Sequence, residues 1–270
     1  MPLAVCATPI GNLEDVTLRL LAELRAADVV LCEDTRHTRG LLERHGIEAR
    51  LLSYHEHNEA SRTAELLPRL AAGERIALVS DAGLPGMSDP GGRLVRAALD
   101  AGVPVTVLPG PSAVETALVA SGLVADRYQF VGFLPRADTG RAALWAELAA
   151  WPWPAVAFES PHRLAASLRS LAALEPTRPV AVCRELTKRF EEVARGTAAE
   201  LAVRFAEPPK GEVTLVIGPA VAEGPVGGGE ADALAAVAEL VEAGVPRRQA
   251  AAIVSRLTGV ARNALYRGTL

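Results

Sequence analysis

The sequence predicts two α/β domains in succession, followed by a small helical segment. Three observations carry that expectation. Short β-rich runs alternate with single amphipathic stretches through residues 1–110, which implies crossover helices and a mostly parallel sheet. After Pro111 the pattern changes: the runs at 180–184 and 190–195 stand too close for a helical crossover, so an antiparallel pair within a mixed sheet is expected over 111–219. The stretch 220–229, with Gly-Gly-Gly at 227–229, then reads as a flexible linker to a separate segment, 230–270.

In the first domain, Leu3–Ala7, Val29–Cys32, Leu51–Tyr54, Ile76–Ser80 and Val103–Leu108 read as strands. Between them, Leu18–Ala26, Arg36–His45, Ala60–Leu70 and Leu94–Asp100 carry apolar residues at helical spacing. In the second, a helix over Ala113–Ala120 leads to a strand at Tyr128–Phe133 and a polar, Gly-bearing stretch around Arg136–Gly140. Strands at Ala155–Phe158, Val180–Arg184, Phe190–Arg195 and Val213–Ile217 are interleaved with helices at Arg163–Leu174 and Ala198–Phe205. Beyond the linker, Ala231–Ala243 is a helix ended by Gly244 and followed by Pro246. A helix, a turn at Thr258-Gly259 and a second helix then form a helix-turn-helix-like tail.

The overall charge of −4 gives no chain-wide nucleic-acid signature, so any RNA contact must come from a local patch. The tail supplies one: Arg247, Arg248, Arg256, Arg262 and Arg267 lie beyond Pro246 with no acidic residue, leaving −9 on the rest (−4 minus +5). Helix packing on a neighbour or a dimer mate would use the same arginines. Cys6, Cys32 and Cys183 are odd in number and far apart, so they suggest buried small hydrophobes in a reducing, cytoplasmic setting, not a disulfide framework. No apolar stretch approaches the roughly 20 residues of a membrane span, and no basic leader precedes Leu3.

The most informative segment is the loop Ser80–Gly91, with Asp81 and Asp89 among glycines and prolines at the carboxyl end of a parallel strand, where open α/β sheets place ligands. Three further loops share that edge: Thr8–Leu13, Glu33–Arg36 and Leu108–Ala113. Singly, each is also a helix-start signal; together they describe a ligand cleft. No G-x-G-x-x-G follows the first strand, and no Walker loop or G-x-S-x-G elbow occurs, which disfavours dinucleotide binding, nucleotide hydrolysis and serine hydrolysis. His55-Glu56-His57 lacks the spacing and third ligand of a metal site, so no metal is expected.

These loops appear in order with His55–Glu59, Glu159–Arg163, Arg184–Lys188, Lys210–Glu212 and the terminal Gly259–Tyr266. Together they closely resemble the 16S rRNA (cytidine-2′-O)-methyltransferase family, within the tetrapyrrole-methylase-like superfamily, from Leu3 to about Tyr266. One position departs: Leu84 stands where the family usually has threonine. The resemblance implies a tetrapyrrole-methylase-like fold with S-adenosylmethionine held between the two α/β domains. It further implies a homodimer and, as substrate, a decoding-region cytidine ribose of 16S rRNA in the small ribosomal subunit.

On that reading, the cofactor-binding candidates are Pro9, Gly11, Asp81, Ala82, Gly83, Pro85, Ser88, Asp89, Pro90, Pro111, Ser112 and Ala113. Candidates for handling the ribose hydroxyl are Glu33, Asp34, Glu159, Lys188 and Lys210, and RNA contacts fall to Arg36 and the five tail arginines. Glu33, Asp34 and Arg36 serve equally well as an ion-pair network around a helix start. The competing functions are methylation of a small tetrapyrrole, a non-catalytic ribosome-assembly RNA-binding protein, and a ligand-sensing DNA regulator. The basic tail argues against the first, the cofactor-like loops against the second, and a short recognition helix against the third.

Overall fold

The computed structural model describes residues 2–220 and 230–269; the linker expected at 220–229 lies, Ala220 apart, outside the described residues. The chain divides into two compact units, Met1–Pro219 and Ala220–Leu270.

The first unit holds two five-stranded sheets. The first sheet is parallel throughout and contains β1 (Leu3–Cys6), β2 (Val29–Cys32), β3 (Leu51–Ser53), β4 (Ile76–Val79) and β5 (Val105–Leu108), in the order β3-β2-β4-β1-β5. Its inner strands are buried along their whole length because helices cover both faces. The two-residue repeat of a strand divides their side chains. Leu3, Val5, Leu31 and Leu78 share a core with Leu66 and Leu70 of α3 (Glu59–Ala71) and Leu94 of α4 (Gly92–Asp100). Ala4, Cys6, Val30 and Val79 share another with Leu20 and Leu24 of α1 (Leu18–Ala26) and Leu42 of α2 (Thr35–Arg44). The cysteines are buried as expected, and burial pushes the Cys6 thiol up to about 12.

The second sheet is mixed and contains β6 (Gln129–Phe133), β7 (Ala155–Glu159), β8 (Pro179–Arg184), β9 (Glu192–Thr197) and β10 (Val213–Ile217), in the order β6-β7-β10-β8-β9. Only β6 and β7 run parallel; the pair β8 and β9 is antiparallel, as the short connection requires. One face shares a core with α6 (Asp138–Ala149), α7 (Pro161–Ala172) and α8 (Ala198–Arg204). The other carries Val156, Ala181, Cys183 and Val216 against α5 (Ala113–Ser121) and against Ile10 from the loop after β1. Although α5 follows β5, it covers the second sheet, which joins the two sheets into one unit.

The structure adds to one expectation and corrects another. The polar stretch at Arg136–Gly140, to which no element was assigned, contains the start of a helix: α6 begins inside it, held by burial of Trp145 and Leu148, and Trp145 Nε1 donates to Ser170 Oγ at 2.7 Å. The strand expected from Phe190 begins at Glu192, and Phe190 is exposed.

The second unit packs α9 (Glu230–Glu242), α10 (Arg247–Thr258) and α11 (Arg262–Gly268) around Ala233, Val237, Ala250, Val254 and Leu265. Gly259 ends α10 in the left-handed conformation at φ 74°, the turn expected at Thr258-Gly259. Among the described residues no helix is long and apolar enough to cross a membrane.

Candidate active site

Strand order puts the ends of β4, β1 and β5 side by side, so three of the Gly- and Pro-bearing loops adjoin. Backbone bonds tie them together. Thr8 and Gly83 exchange N–H···O bonds of 2.9 and 3.1 Å, Thr8 Oγ1 donates to the Ser80 carbonyl at 3.0 Å, and Ala7 N donates to the Leu108 carbonyl at 3.1 Å. A Cβ on Gly110 would lie 2.9 Å from the Ala7 Cβ, so the β5 loop reaches this position only with glycine. On the far side, Asp34 N donates to Asp81 Oδ1 at 3.2 Å, bringing in the loop after β2. Within the Ser80–Gly91 loop Gly83, Gly86 and Gly91 all have positive φ, and so does Ser88, at 68°. A left-handed serine is strained, a condition that concentrates at functional sites.

Facing these loops is the second sheet, and between them lies a cleft of about 650 Å³, within the roughly 300–1,000 Å³ range of small-molecule sites. Ala82–Leu84, Met87–Asp89 and Pro109–Glu115 form one wall. Tyr128, Phe130, Phe133, Phe158–Pro161 and Gly211–Thr214 form the other. Phe130 and Phe133 both face inward because a bulge interrupts the pairing of β6 with β7 between them, with Gly132 at φ 71°. Both rings meet Phe158 edge to face, at 5.0 and 5.4 Å between centroids. Simple strand alternation would place residues three apart on opposite faces, so this aromatic wall was missed from sequence.

Of the cofactor-binding candidates, Ala82, Gly83, Ser88, Asp89, Pro111, Ser112 and Ala113 line the cleft. Pro9, Gly11, Asp81, Pro85 and Pro90 are not among the lining residues. Gly11 is pressed against Lys188, whose Cγ would collide with a Cβ there, and Asn12 N donates to Thr187 Oγ1 at 3.0 Å. Leu84, at the family's usual threonine position, lines the cleft and packs on the first core, so its side chain serves the wall.

Among the hydroxyl-handling candidates only Glu159 lines the cleft. Its buried carboxylate accepts from Ser160 N at 2.7 Å and Ser167 Oγ at 2.5 Å, and pairs with Arg163 at 2.5 Å. Glu33 and Asp34 sit beside Asp81, outside the lining. Asp34 caps α2 and pairs with the exposed Arg36 at 2.7 Å, and the Arg36 hydrogen bonds hold its carboxyl down at about 2. Both residues thus follow the helix-start reading. Lys188 donates to Glu185 at 2.9 Å and Glu212 at 2.6 Å. Burial works against its charge, but these carboxylates outweigh burial and raise its pKa, which favours its protonated form. Lys210 is exposed, and its carbonyl accepts from Arg184 Nη1 at 2.9 Å. In the second unit Arg248, Arg256, Arg262 and Arg267 are exposed and Arg247 is half-buried.

Every charged residue lining the cleft is acidic: Asp89, Glu115, Glu159 and Glu212. Burial raises the Asp89 carboxyl to about 6, helped by the nearby Glu33 and Asp81 charges and opposed by the Ser80 hydroxyl. Glu33 is raised by partial burial and then by Asp81. At Glu115 burial is outweighed by donation from Ser112 and from Tyr128, the latter at 2.6 Å, so its carboxyl is lowered.

Residues 2–202 match the model of the tetrapyrrole (corrin/porphyrin) methylases, and residues 227–269 match the RsmI C-terminal HTH domain. The ribosomal RNA small subunit methyltransferase I of Mesorhizobium japonicum is 46% identical, over 99% of this chain and 91% of that one. The chain belongs to the ribosomal RNA small subunit methyltransferase I family. The Escherichia coli O157:H7 member of the ribosomal RNA small subunit methyltransferase I family is 43% identical, over 99% of this chain and 94% of that one. The crystal structure of uroporphyrin-III-C-methyltransferase from Thermus thermophilus shares the fold, with a TM-score of 0.57 and 25% identity over 82% of this chain and 96% of that one. The ribosomal RNA small subunit methyltransferase I family is S-adenosylmethionine-dependent, and the cleft residues fit that cofactor. Aromatic and backbone surfaces suit an adenosyl group. Lining charge of one sign suits a molecule bearing an ammonium and a sulfonium, and opposes a polyphosphate.

Proposed function

We propose that the protein transfers a methyl group from S-adenosylmethionine to the ribose 2′-hydroxyl of a decoding-region cytidine in 16S rRNA. It does so in the cytoplasm, as a homodimer acting on the small ribosomal subunit. The observation that carries this reading is the pairing of an acidic, cation-suited cleft in the first unit with a separate helical unit bearing five arginines beyond Pro246. A small macrocyclic substrate needs no such cationic appendage, whereas RNA phosphates do.

When bound, S-adenosylmethionine supplies an electrophilic methyl group on a positively charged sulfur. The chain's own part is alignment and proton handling. Ala82–Gly83 and Pro111–Ala113 present backbone beside the cleft, fixed by the Thr8–Gly83 exchange and the close seat of Gly110. Lys188 clasps the Glu185 turn and Glu212 and lies over Gly11, so it ties the β1 loop to the opposite wall. Such positioning contributes several kcal/mol to an in-line displacement. Glu159, held by three donors, fixes the start of α7 where Ser160 and Pro161 line the cleft.

Incubation with tritiated S-adenosylmethionine and small subunits from cells lacking the gene tests the reading. Label in a single ribose-methylated cytidine is expected. Absence of label in RNA, with label in a uroporphyrinogen-type macrocycle instead, would replace it.

A further inference from the structure

Three of the four carboxylates lining the cleft are already engaged. Glu159 is held by Ser160, Ser167 and Arg163, Glu115 by Ser112 and Tyr128, and Glu212 by Lys188. Asp89 is the fourth. Among the described residues, the groups acting on it are the Ser80 hydroxyl, Glu33 from the loop after β2 and Asp81 from the end of β4, and none of these is a cation. Beyond Glu33 lie His55 and Glu56, from the loop after β3, and Asp34.

We propose that the Asp89 carboxylate is the catalytic residue that takes the proton of the ribose 2′-hydroxyl during methyl transfer, an assignment that rests on the rRNA reading above. Its place in the fold supports this. Asp89 follows the left-handed Ser88, and a Cβ on Gly132 at the β6 bulge would lie 3.9 Å from Ser88 Oγ. Ser88 thus marks where the loop of the first sheet meets the second, and Asp89, next in the chain, lines the cleft that Phe130, Phe133 and Phe158 also line. Gly91 anchors the other side: its N donates to Glu59 Oε1 at 3.0 Å, and a Cβ there would lie 2.9 Å from Leu78 Cδ2.

The step balances simply. The 2′-oxygen bonds to the methyl carbon as the carbon–sulfur bond breaks with its electron pair left on sulfur. The hydroxyl proton passes to an Asp89 Oδ, from which bulk water removes it. A base serves best when its affinity for protons lies near that of its surroundings, and burial among like charges moves Asp89 in that direction. The other three already spend acceptor capacity on their donors or cation, whereas at Asp89 only the Ser80 hydroxyl competes.

The test uses the full-length protein, Asp89→Asn and Asp89→Glu, with small subunits lacking this methyl group, in single-turnover assays between about pH 5 and pH 8. The wild-type rate is expected to rise with pH along a limb that Asp89→Asn lacks. Asp89→Asn should fall by roughly 100-fold or more, and Asp89→Glu should recover part of the loss. Calorimetric affinity for S-adenosylhomocysteine, which lacks the sulfonium charge, should fall far less than the rate, which separates proton transfer from cofactor binding. Independently, carboxyl-carbon NMR of the wild-type protein with S-adenosylhomocysteine should show one aspartate titrating with the limb, its signal missing from Asp89→Asn. An Asp89→Asn rate within about threefold of wild type would overturn the assignment. So would a limb surviving in the variant, a loss confined to cofactor affinity, or an Asp89 signal titrating in the ordinary aspartate range. Failure of the wild-type protein to label RNA would instead overturn the rRNA reading, and this role with it.

Discussion

Asp89 binds its proton more tightly in the folded chain than in the unfolded one, since burial and the Glu33 and Asp81 charges raise it from 3.8 to about 6. A raised carboxyl contributes stability fully at pH below 3.8 and loses that contribution as pH climbs through about 6. Asp89→Asn, which carries no charge to desolvate, should therefore be more stable than wild type at pH 7, by on the order of 2 kcal/mol. The gap should close toward pH 4. Thermal melts at the two pH values check this, and equal melting temperatures at pH 7 would contradict it. A gap at pH 7 would mark Asp89 as a functional group rather than a structural one. Asp89 itself was legible in the sequence, as part of a loop too rich in glycine and proline for ordinary turn chemistry. Its isolation among engaged carboxylates was not. Glu115, Tyr128 and Glu159 come from elements that only the tertiary fold brings opposite, and a single sequence holds no record of which donors each meets.

The elements of the first sheet were legible nearly to the residue because strands buried on both faces read as unbroken apolar runs. The failures came where tertiary packing overrides local pattern. Helix α6 begins at Asp138-Thr139-Gly140, a polar stretch given no element from the sequence, and owes its place to Trp145 and Leu148 in the second core. Arg178 makes the dependence explicit. Its fully buried guanidinium donates to the Leu148 carbonyl of α6 at 3.0 Å, to the Gly218 carbonyl beyond β10 at 2.7 Å, and to Glu175 at 2.6 Å. Arg178→Met keeps most of the volume but takes the arginine donor from the Gly218 carbonyl, one of several donors from the Leu148 carbonyl, and the cation from Glu175. A loss of about 3 kcal/mol is expected, read from urea denaturation. A loss under about 1 kcal/mol would mean that water replaces the arginine at all three acceptors.

At the scale of the whole molecule, charge is divided by task. The five arginines beyond Pro246 sit on a chain whose remainder carries −9 (−4 minus +5), and among the described residues no basic side chain lines the cleft. An acidic cleft suits a cationic cofactor but repels a phosphate backbone, so the attraction that holds rRNA must be supplied elsewhere. We propose that the exposed Arg248, Arg256, Arg262 and Arg267 of the three-helix unit supply it. Replacing these four by alanine should leave S-adenosylhomocysteine affinity unchanged while weakening rRNA binding by roughly 10- to 1,000-fold near physiological salt. The diagnostic is the salt dependence. Each lost phosphate contact removes about 0.7–0.9 from the slope of log affinity against log salt, so the variant's slope should be shallower by about 2–4. An unchanged slope with unchanged affinity would mean that the helical unit packs on protein instead. The RNA would then be gripped by exposed cations of the first unit, with Lys210 and Arg36 the first to examine.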